Sequence, residues 1–239
     1  ILPDVARPML TYGFGEDCDF RATDLRVDGR NWSFTANRPQ GFDSLHIRLS
    51  VPGRHNVLNA MAAIAVATDE GLPDASIVQG LGEFSGVGRR FQVFDDIRLG
   101  TRHVILVDDY GHHPTEVASV IETARKVWPE RRLVMVYQPH RYSRTRDLYD
   151  DFVRVVSEVD VLVLLEVYAA GEDFISGADG KSLSRGIRQR GRVNPIFAES
   201  PEEVLDMLQG VVEAGDVVLV QGAGNVNQIS NELRQRHVS

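Results

Sequence analysis

Four short apolar runs, at 104–107, 133–136, 161–165 and 217–220, most constrain the fold of this chain. Each is apolar at every position rather than at alternate ones, so each strand must be covered on both faces. Between them lie stretches with helical spacing of apolar residues. That alternation predicts a doubly wound, mostly parallel α/β sheet. Strands are expected near 92–97, 103–108, 132–138, 160–166, 194–198 and 216–221. Helices are expected near 115–127, 146–157, 182–190, 201–213 and 226–236, the fourth opened by a capping box at Ser200-Pro201-Glu202-Glu203. In open sheets of this kind ligands bind outside the carboxyl ends of the strands. The residues that follow the apolar runs are therefore the ones to read for chemistry.

The first fifty residues have another texture. An extended stretch at 18–27, the pair Asp28-Gly29 and the alternating Trp32, Phe34 and Ala36 predict a β-hairpin. A short strand is expected at His46-Ile47-Arg48-Leu49. Asn56 is the expected cap of a helix with Val57, Met61 and Ile64 on one face, and Asp74 the cap of a second. The glycines of Phe84-Ser85-Gly86-Val87-Gly88-Arg89-Arg90 suit a linker, so two domains are expected, 1–88 and 89–239.

A net charge of −8 argues against general binding to nucleic acid or anionic membrane. A single cysteine, Cys18, excludes an internal disulfide and suits the cytoplasm. No apolar run approaches the roughly 20 residues of a membrane span. The chain begins at Ile1 inside a strand-rich region, which suggests a piece of a longer protein.

Several clusters invite a functional reading. Asp108-Asp109-Tyr110-Gly111-His112-His113-Pro114 follows one apolar run. An acid there commonly accepts ribose hydroxyls. The paired histidines lack helical spacing and a second half-site, so zinc is disfavoured. Gln138-Pro139-His140-Arg141-Tyr142-Ser143-Arg144-Thr145-Arg146 follows another run, and its arginines suit a carboxylate or phosphate. A solvated basic loop is the alternative. Asn56 and Asn59, three apart on a helix, offer amides to a purine edge unless Asn56 is only a cap. Arg89 and Arg90 suit phosphate or a surface ion pair. Gly177-Ala178-Asp179-Gly180-Lys181-Ser182 ends like a P-loop, but Ile175 stands where its first glycine belongs, so a polar loop capped by Ser182 is expected. Gln221-Gly222-Ala223-Gly224-Asn225 is either a tight turn or a ligand-lining loop.

Together, Gly53-Arg54-His55-Asn56-Val57-Leu58-Asn59-Ala60, Gly88-Arg89-Arg90-Phe91, Asp108–Pro114, Gln138–Arg144 and the Gly222 loop resemble the Mur ligases of peptidoglycan synthesis. The form of the motifs is similar to the branch that joins L-alanine to UDP-N-acetylmuramate. The murein-peptide recycling branch tends to carry Phe and Ala in place of Tyr110 and Gly111. The resemblance implies three domains, of which this chain would hold the end of the central ATPase domain and the C-terminal Rossmann-like domain. It implies ATP, Mg²⁺ and an acyl-phosphate intermediate. The Gly-Lys-Thr P-loop and magnesium ligands would lie outside the chain, so no metal ligand is expected here and the chain alone should be inactive. By that resemblance Asn56 and Asn59 meet adenine, Arg90 the phosphates and Asp109 the ribose. Tyr110, His112 and His140 shape the alanine pocket, and Arg141 and Arg144 bind the alanine carboxylate. His112 and Arg90 are the catalytic candidates. A homodimer stays open. The competing readings are an NAD-dependent oxidoreductase, resting on the Gly222 loop alone, and a non-catalytic nucleotide- or amino-acid-binding module.

Overall fold

The computed structural model describes residues 9–238, with side chains to residue 235. Expectations for residues 1–8 lie outside the described residues. The chain divides into two compact units, one up to Gly86 and one from Val87.

In the first unit β1 (Tyr12–Gly13), β2 (Phe20–Asp28), β3 (Asn31–Asn37) and β4 (Leu45–Leu49) form one sheet in that order. β1 runs parallel to β2 and the other pairs are antiparallel. The hairpin turns beyond Asp28, which pairs with Asn31, and Gly29 takes a positive φ of 55°. Alternation puts Trp32, Phe34 and Ala36 on one face opposite Leu49, Ile47 and Leu45. That face packs with Val57, Met61 and Ile64 of α1 (Arg54–Asp69) and Ile77 of α2 (Asp74–Glu83).

Two cap expectations need correction. α1 starts two residues before Asn56. Gly53 takes the cap position with φ 115°, and its carbonyl accepts from the Asn56 and Val57 amides. A β-carbon disfavours that φ. Asp74 is the first residue of α2 rather than its cap, and Arg38 grips its carboxylate with two hydrogen bonds, of 2.8 and 2.7 Å.

The second unit holds β5 (Gln92–Leu99), β6 (Arg102–Asp109), α3 (Pro114–Val127), β7 (Leu133–Tyr137), α4 (Tyr142–Asp147) and α5 (Tyr149–Val156). β8 (Val161–Leu165), α6 (Gly180–Arg190), β9 (Ile196–Ala198), α7 (Pro201–Val211), β10 (Val217–Gln221) and α8 (Asn227–Val238) complete it. The sheet has six strands in the order β5-β6-β10-β7-β8-β9. Only the β5–β6 pair is antiparallel. Ile105, Val107, Val217 and Leu219 pack toward α3, α5 and α6. Their neighbours Val104, Leu106, Val218 and Val220 pack toward α7 and α8. The runs are apolar at every position because both faces are covered.

The single helix expected near 146–157 is two, broken at Leu148, and the first begins early enough to carry Ser143 and Arg144. Asp179, not Ser182, caps α6, accepting from the Ser182 amide at 2.8 Å. Ser200 stands at the cap position of α7 with Pro201 behind it, but its side chain makes no capping bond. Glu203 reaches back to the Glu199 amide instead.

Candidate functional site

The strand order decides where the site forms. β10, the last strand, lies between β6 and β7, and Gln221 is level with both Asp109 and Tyr137. The loops after β6, β10 and β7 therefore leave the sheet side by side. The Gly222–Gly224 turn stands in the middle of them. The sheet changes direction there, which is where open α/β sheets form a binding crevice.

The acids of the β6 loop point inward. Asp109 is buried. Its Oδ2 accepts from the Phe91 amide at 2.8 Å, and its Oδ1 from the Gly111 amide at 2.7 Å and Gln221 Nε2 at 2.9 Å. In this arrangement the carboxylate ties the residue before β5, the turn after β6 and the end of β10 together. Asp108 is also buried, with Arg89 Nε 3.6 Å from its Oδ1. Burial pushes its carboxyl above the ordinary range, and Arg89 offsets part of that rise. Arg89 also donates to the Gly222 carbonyl at 2.6 Å. It is a strut between two loops.

Gly111 permits the tight turn. A β-carbon there would lie 2.6 Å from Gln221 Nε2 and 2.7 Å from Asp109 Oδ1. Beyond it, His113 caps α3, its Nδ1 accepting from the Thr115 amide at 3.3 Å. Glu116 Oε2 accepts from the His112 and His113 amides at 2.9 and 3.0 Å, completing a capping box. Burial opposes ionisation of Glu116, but these amides, with His112 and Arg90 nearby, hold its carboxyl below the ordinary range.

Outward from this frame runs a row of rings. Tyr110, His112, His140 and Tyr168 follow one another with each pair of centroids 5.5 Å apart. They span the loops after β6, β7 and β8. His112 Nδ1 lies 3.2 Å from the Tyr110 carbonyl oxygen. Burial, with His112, Arg144 and Arg141 close by, holds the His140 imidazole below the ordinary histidine range. Its Nδ1 faces Arg144 Nη1 at 3.4 Å, and Arg144 also donates to the His140 carbonyl at 3.1 Å. Arg141 is exposed at the entrance of α4 with a left-handed φ of 74°. Its amide donates to the Tyr168 carbonyl at 2.8 Å, and the Tyr168 amide to the Pro139 carbonyl at 2.9 Å. Arg90 is exposed too, 5.5 Å over the Tyr110 ring and 3.7 Å from Glu116.

The glycine loop is stitched to this wall. Gln138 is buried, donates to Asn225 Oδ1 at 2.8 Å and accepts from the Val226 amide at 3.0 Å. A β-carbon on Gly224 would lie 2.4 Å from Gln138 Oε1 and 2.7 Å from Tyr168 Cγ. Only glycine lets the turn pass this close.

The family model for the Mur ligase, glutamate ligase domain matches residues 89–224, and that for the Mur ligase middle domain matches residues 3–67. The chain belongs to the Mur ligase family. The solved UDP-N-acetylmuramate-alanine ligase of Thermotoga maritima is similar at 27% identity with a TM-score of 0.78, over 96% of this chain and 48% of that one. A murein peptide ligase from Psychrobacter arcticus shares the fold at 20% identity and a TM-score of 0.64, over 95% of this chain and 45% of that one. The MurF ligase of Thermotoga maritima, solved with ADP, shares it at 18% and 0.68, over 96% and 49%. The chain spans about half the length of these relatives.

In this Mur ligase chain the structure brings Arg90, Tyr110, His112, His140, Arg141 and Arg144 to one rim. Asn56 and Asn59 belong to the first unit. There Asn56 donates to the Pro52 carbonyl at 2.7 Å and accepts from Asn59 Nδ2 at 3.3 Å, so the two amides do stand together. Asn59 is the exposed member. Among the described residues no group of three or more His, Cys, Asp or Glu is placed to hold a metal ion. No described helix is long and apolar enough to cross a membrane. Reading the sequence missed Tyr168, Gln138 as the stitch of the glycine loop, and Glu172. Tyr168 and Glu172 lie in an irregular loop after β8, and their only signal was that a buried strand precedes it.

Proposed function

We propose that this chain supplies the amino-acid-accepting side of an ATP-dependent acid–amino-acid ligase. It is a part of the enzyme that joins L-alanine to UDP-N-acetylmuramate in peptidoglycan synthesis. The observation that carries this reading is the rim itself: Arg144, half buried against His140, stands beside a wall of four rings and, among the described residues, faces no carboxylate. A guanidinium so placed suits the carboxylate of a small amino acid.

In the proposed reaction the muramate carboxylate is activated by the γ-phosphate of ATP. The alanine amine then attacks the acyl phosphate, and phosphate leaves. Arg144 and Arg141 hold the acceptor carboxylate, while Tyr110, His112 and His140 restrict the side chain and orient the amine. Arg90, exposed and 3.7 Å from Glu116, neutralises phosphate charge. His112, between Tyr110 and His140 in the row of rings, is with Arg90 the catalytic candidate. Asn59 and Asn56 offer the amide edge that suits adenine. Magnesium, which the family implies, finds no ligand set among the described residues, so no step here passes through it. Asp109, the acid that suits the ribose hydroxyls, also holds the rim in shape through Phe91, Gly111 and Gln221.

Gly111 favours the alanine-adding reading over murein-peptide recycling. The alanine that the recycling branch tends to carry there would meet Gln221 and Asp109 in this structure. The test is a coupled phosphate-release assay with the full-length protein, ATP and UDP-N-acetylmuramate. L-Alanine-dependent phosphate release is expected, and none from a murein tripeptide. Release with the tripeptide and none with alanine would overturn the assignment. The isolated chain is expected to release none.

A further inference from the structure

Arginines crowd this rim, and three of the four are already matched. Arg89 faces Asp108 at 3.6 Å, Arg90 faces Glu116 at 3.7 Å and Arg141 faces Glu172 at 3.6 Å. Among the described residues no carboxylate pairs with Arg144. Glu172 is the acid that the reaction does not explain. Its position is fixed from both oxygens: Oε2 accepts from the Ser143 amide at 2.9 Å and Oε1 from the Ser143 hydroxyl at 2.6 Å. The hydroxyl and amide of Ser143, with Arg141, hold its carboxyl below the ordinary range, so it carries a full charge at neutral pH. The backbone of Arg141 is pinned as well, by its amide on Tyr168 and by Thr145, whose hydroxyl donates to the Arg141 carbonyl at 2.9 Å. The Glu172 carboxylate does not swing away without giving up its bonds to Ser143.

We propose that Glu172 sets the class of acceptor: by offsetting one of the two guanidiniums that meet the acceptor carboxylate, Arg141 and Arg144, it leaves the pair one net positive charge and so selects amino acids with one carboxylate over amino diacids. The inference rests on the ligase reading above and deepens it. A second ligand carboxylate entering this rim would meet a fixed like charge in place of a free cation, which is how sites reject close analogues.

The test uses the full-length enzyme, with L-aspartate as competitor of L-alanine. Glu172→Gln keeps an oxygen for Ser143 and removes the charge. The affinity for L-aspartate relative to that for L-alanine should rise about two- to fivefold, the scale of a partly exposed ion pair. Ser143→Ala drops the hydroxyl bond, keeps the charge and should leave that ratio at the wild-type value. If Glu172→Gln weakens both ligands equally, Glu172 only braces α4 and the proposal fails. A wild-type enzyme that accepts L-aspartate as readily as L-alanine refutes the proposal while sparing the ligase reading. A wild-type enzyme without alanine-dependent phosphate release overturns both.

Discussion

The two acids that end β6 and the arginines that follow β7 look equally poised for ligand in the sequence, yet the structure uses them in opposite ways. Asp108 and Asp109 are buried, and their partners belong to the protein. Arg141 and Arg144 keep part of their surface in solvent and lean on carbonyls, a ring and one acid. The difference follows from the cost of burial. A buried carboxylate is tolerated only when donors surround it, and once surrounded it has little left to offer a ligand. A guanidinium with five donors can spend two on the protein and still bind. Charge at a strand end therefore marks a site, while burial sorts its residues into those that build and those that bind.

That division can be broken most forcefully at Asp109. Asp109→Ala leaves the Phe91 and Gly111 amides and Gln221 Nε2 without their acceptor. Unfolding of the second unit, followed by denaturant titration, should show a loss of about 3–5 kcal/mol. A variant as stable as wild type would show that these bonds do not hold the second unit together. Gly111→Ala acts on the same frame from the other side, by crowding rather than by loss. It should cost about 1–3 kcal/mol, the usual range for an overfilled site, read as a lower midpoint with an unchanged slope.

The smallest effect concerns Glu116, whose folded carboxyl sits below its unfolded value of 4.5. A depressed acid contributes stability above its unfolded pKa and loses it as pH falls through the folded one. Wild type should therefore lose more stability than Glu116→Gln as pH is lowered below about 4.5. Parallel acid limbs for the two proteins would show that the His112 and His113 amides do not stabilise the charged form.

Much of the fold was legible because its signals are local. The four apolar runs mark strands β6, β7, β8 and β10, and their all-apolar composition announces helices on both faces. The order of those strands is not local. Nothing in 217–221 says that this last strand inserts between β6 and β7, so the sequence left the Gly222–Gly224 loop open between a tight turn and a ligand-lining loop, although it stands at the centre of the rim. The site was legible by residue type and not by direction. His112, His140, Arg141 and Arg144 gather as their motifs imply. The inward turn of Asp109 depends on the Phe91 amide and on Gln221, 18 and 112 residues away. Glu172 escaped for the same reason, since its partner Ser143 lies 29 residues earlier, on the far side of α5 and β8.

The claim that the inward acids build and the outward cations bind is tested most directly by Arg144→Ala in the full-length ligase, with the KM for L-alanine and for ATP measured on the same preparation. Losing a charged hydrogen bond to a carboxylate should cost about 2–3 kcal/mol. The alanine KM should therefore rise by roughly 30-fold or more, while the ATP KM and the unfolding midpoint stay near wild type. An unchanged alanine KM, or an equal loss for both substrates with a lower midpoint, would place Arg144 among the residues that build and contradict the account.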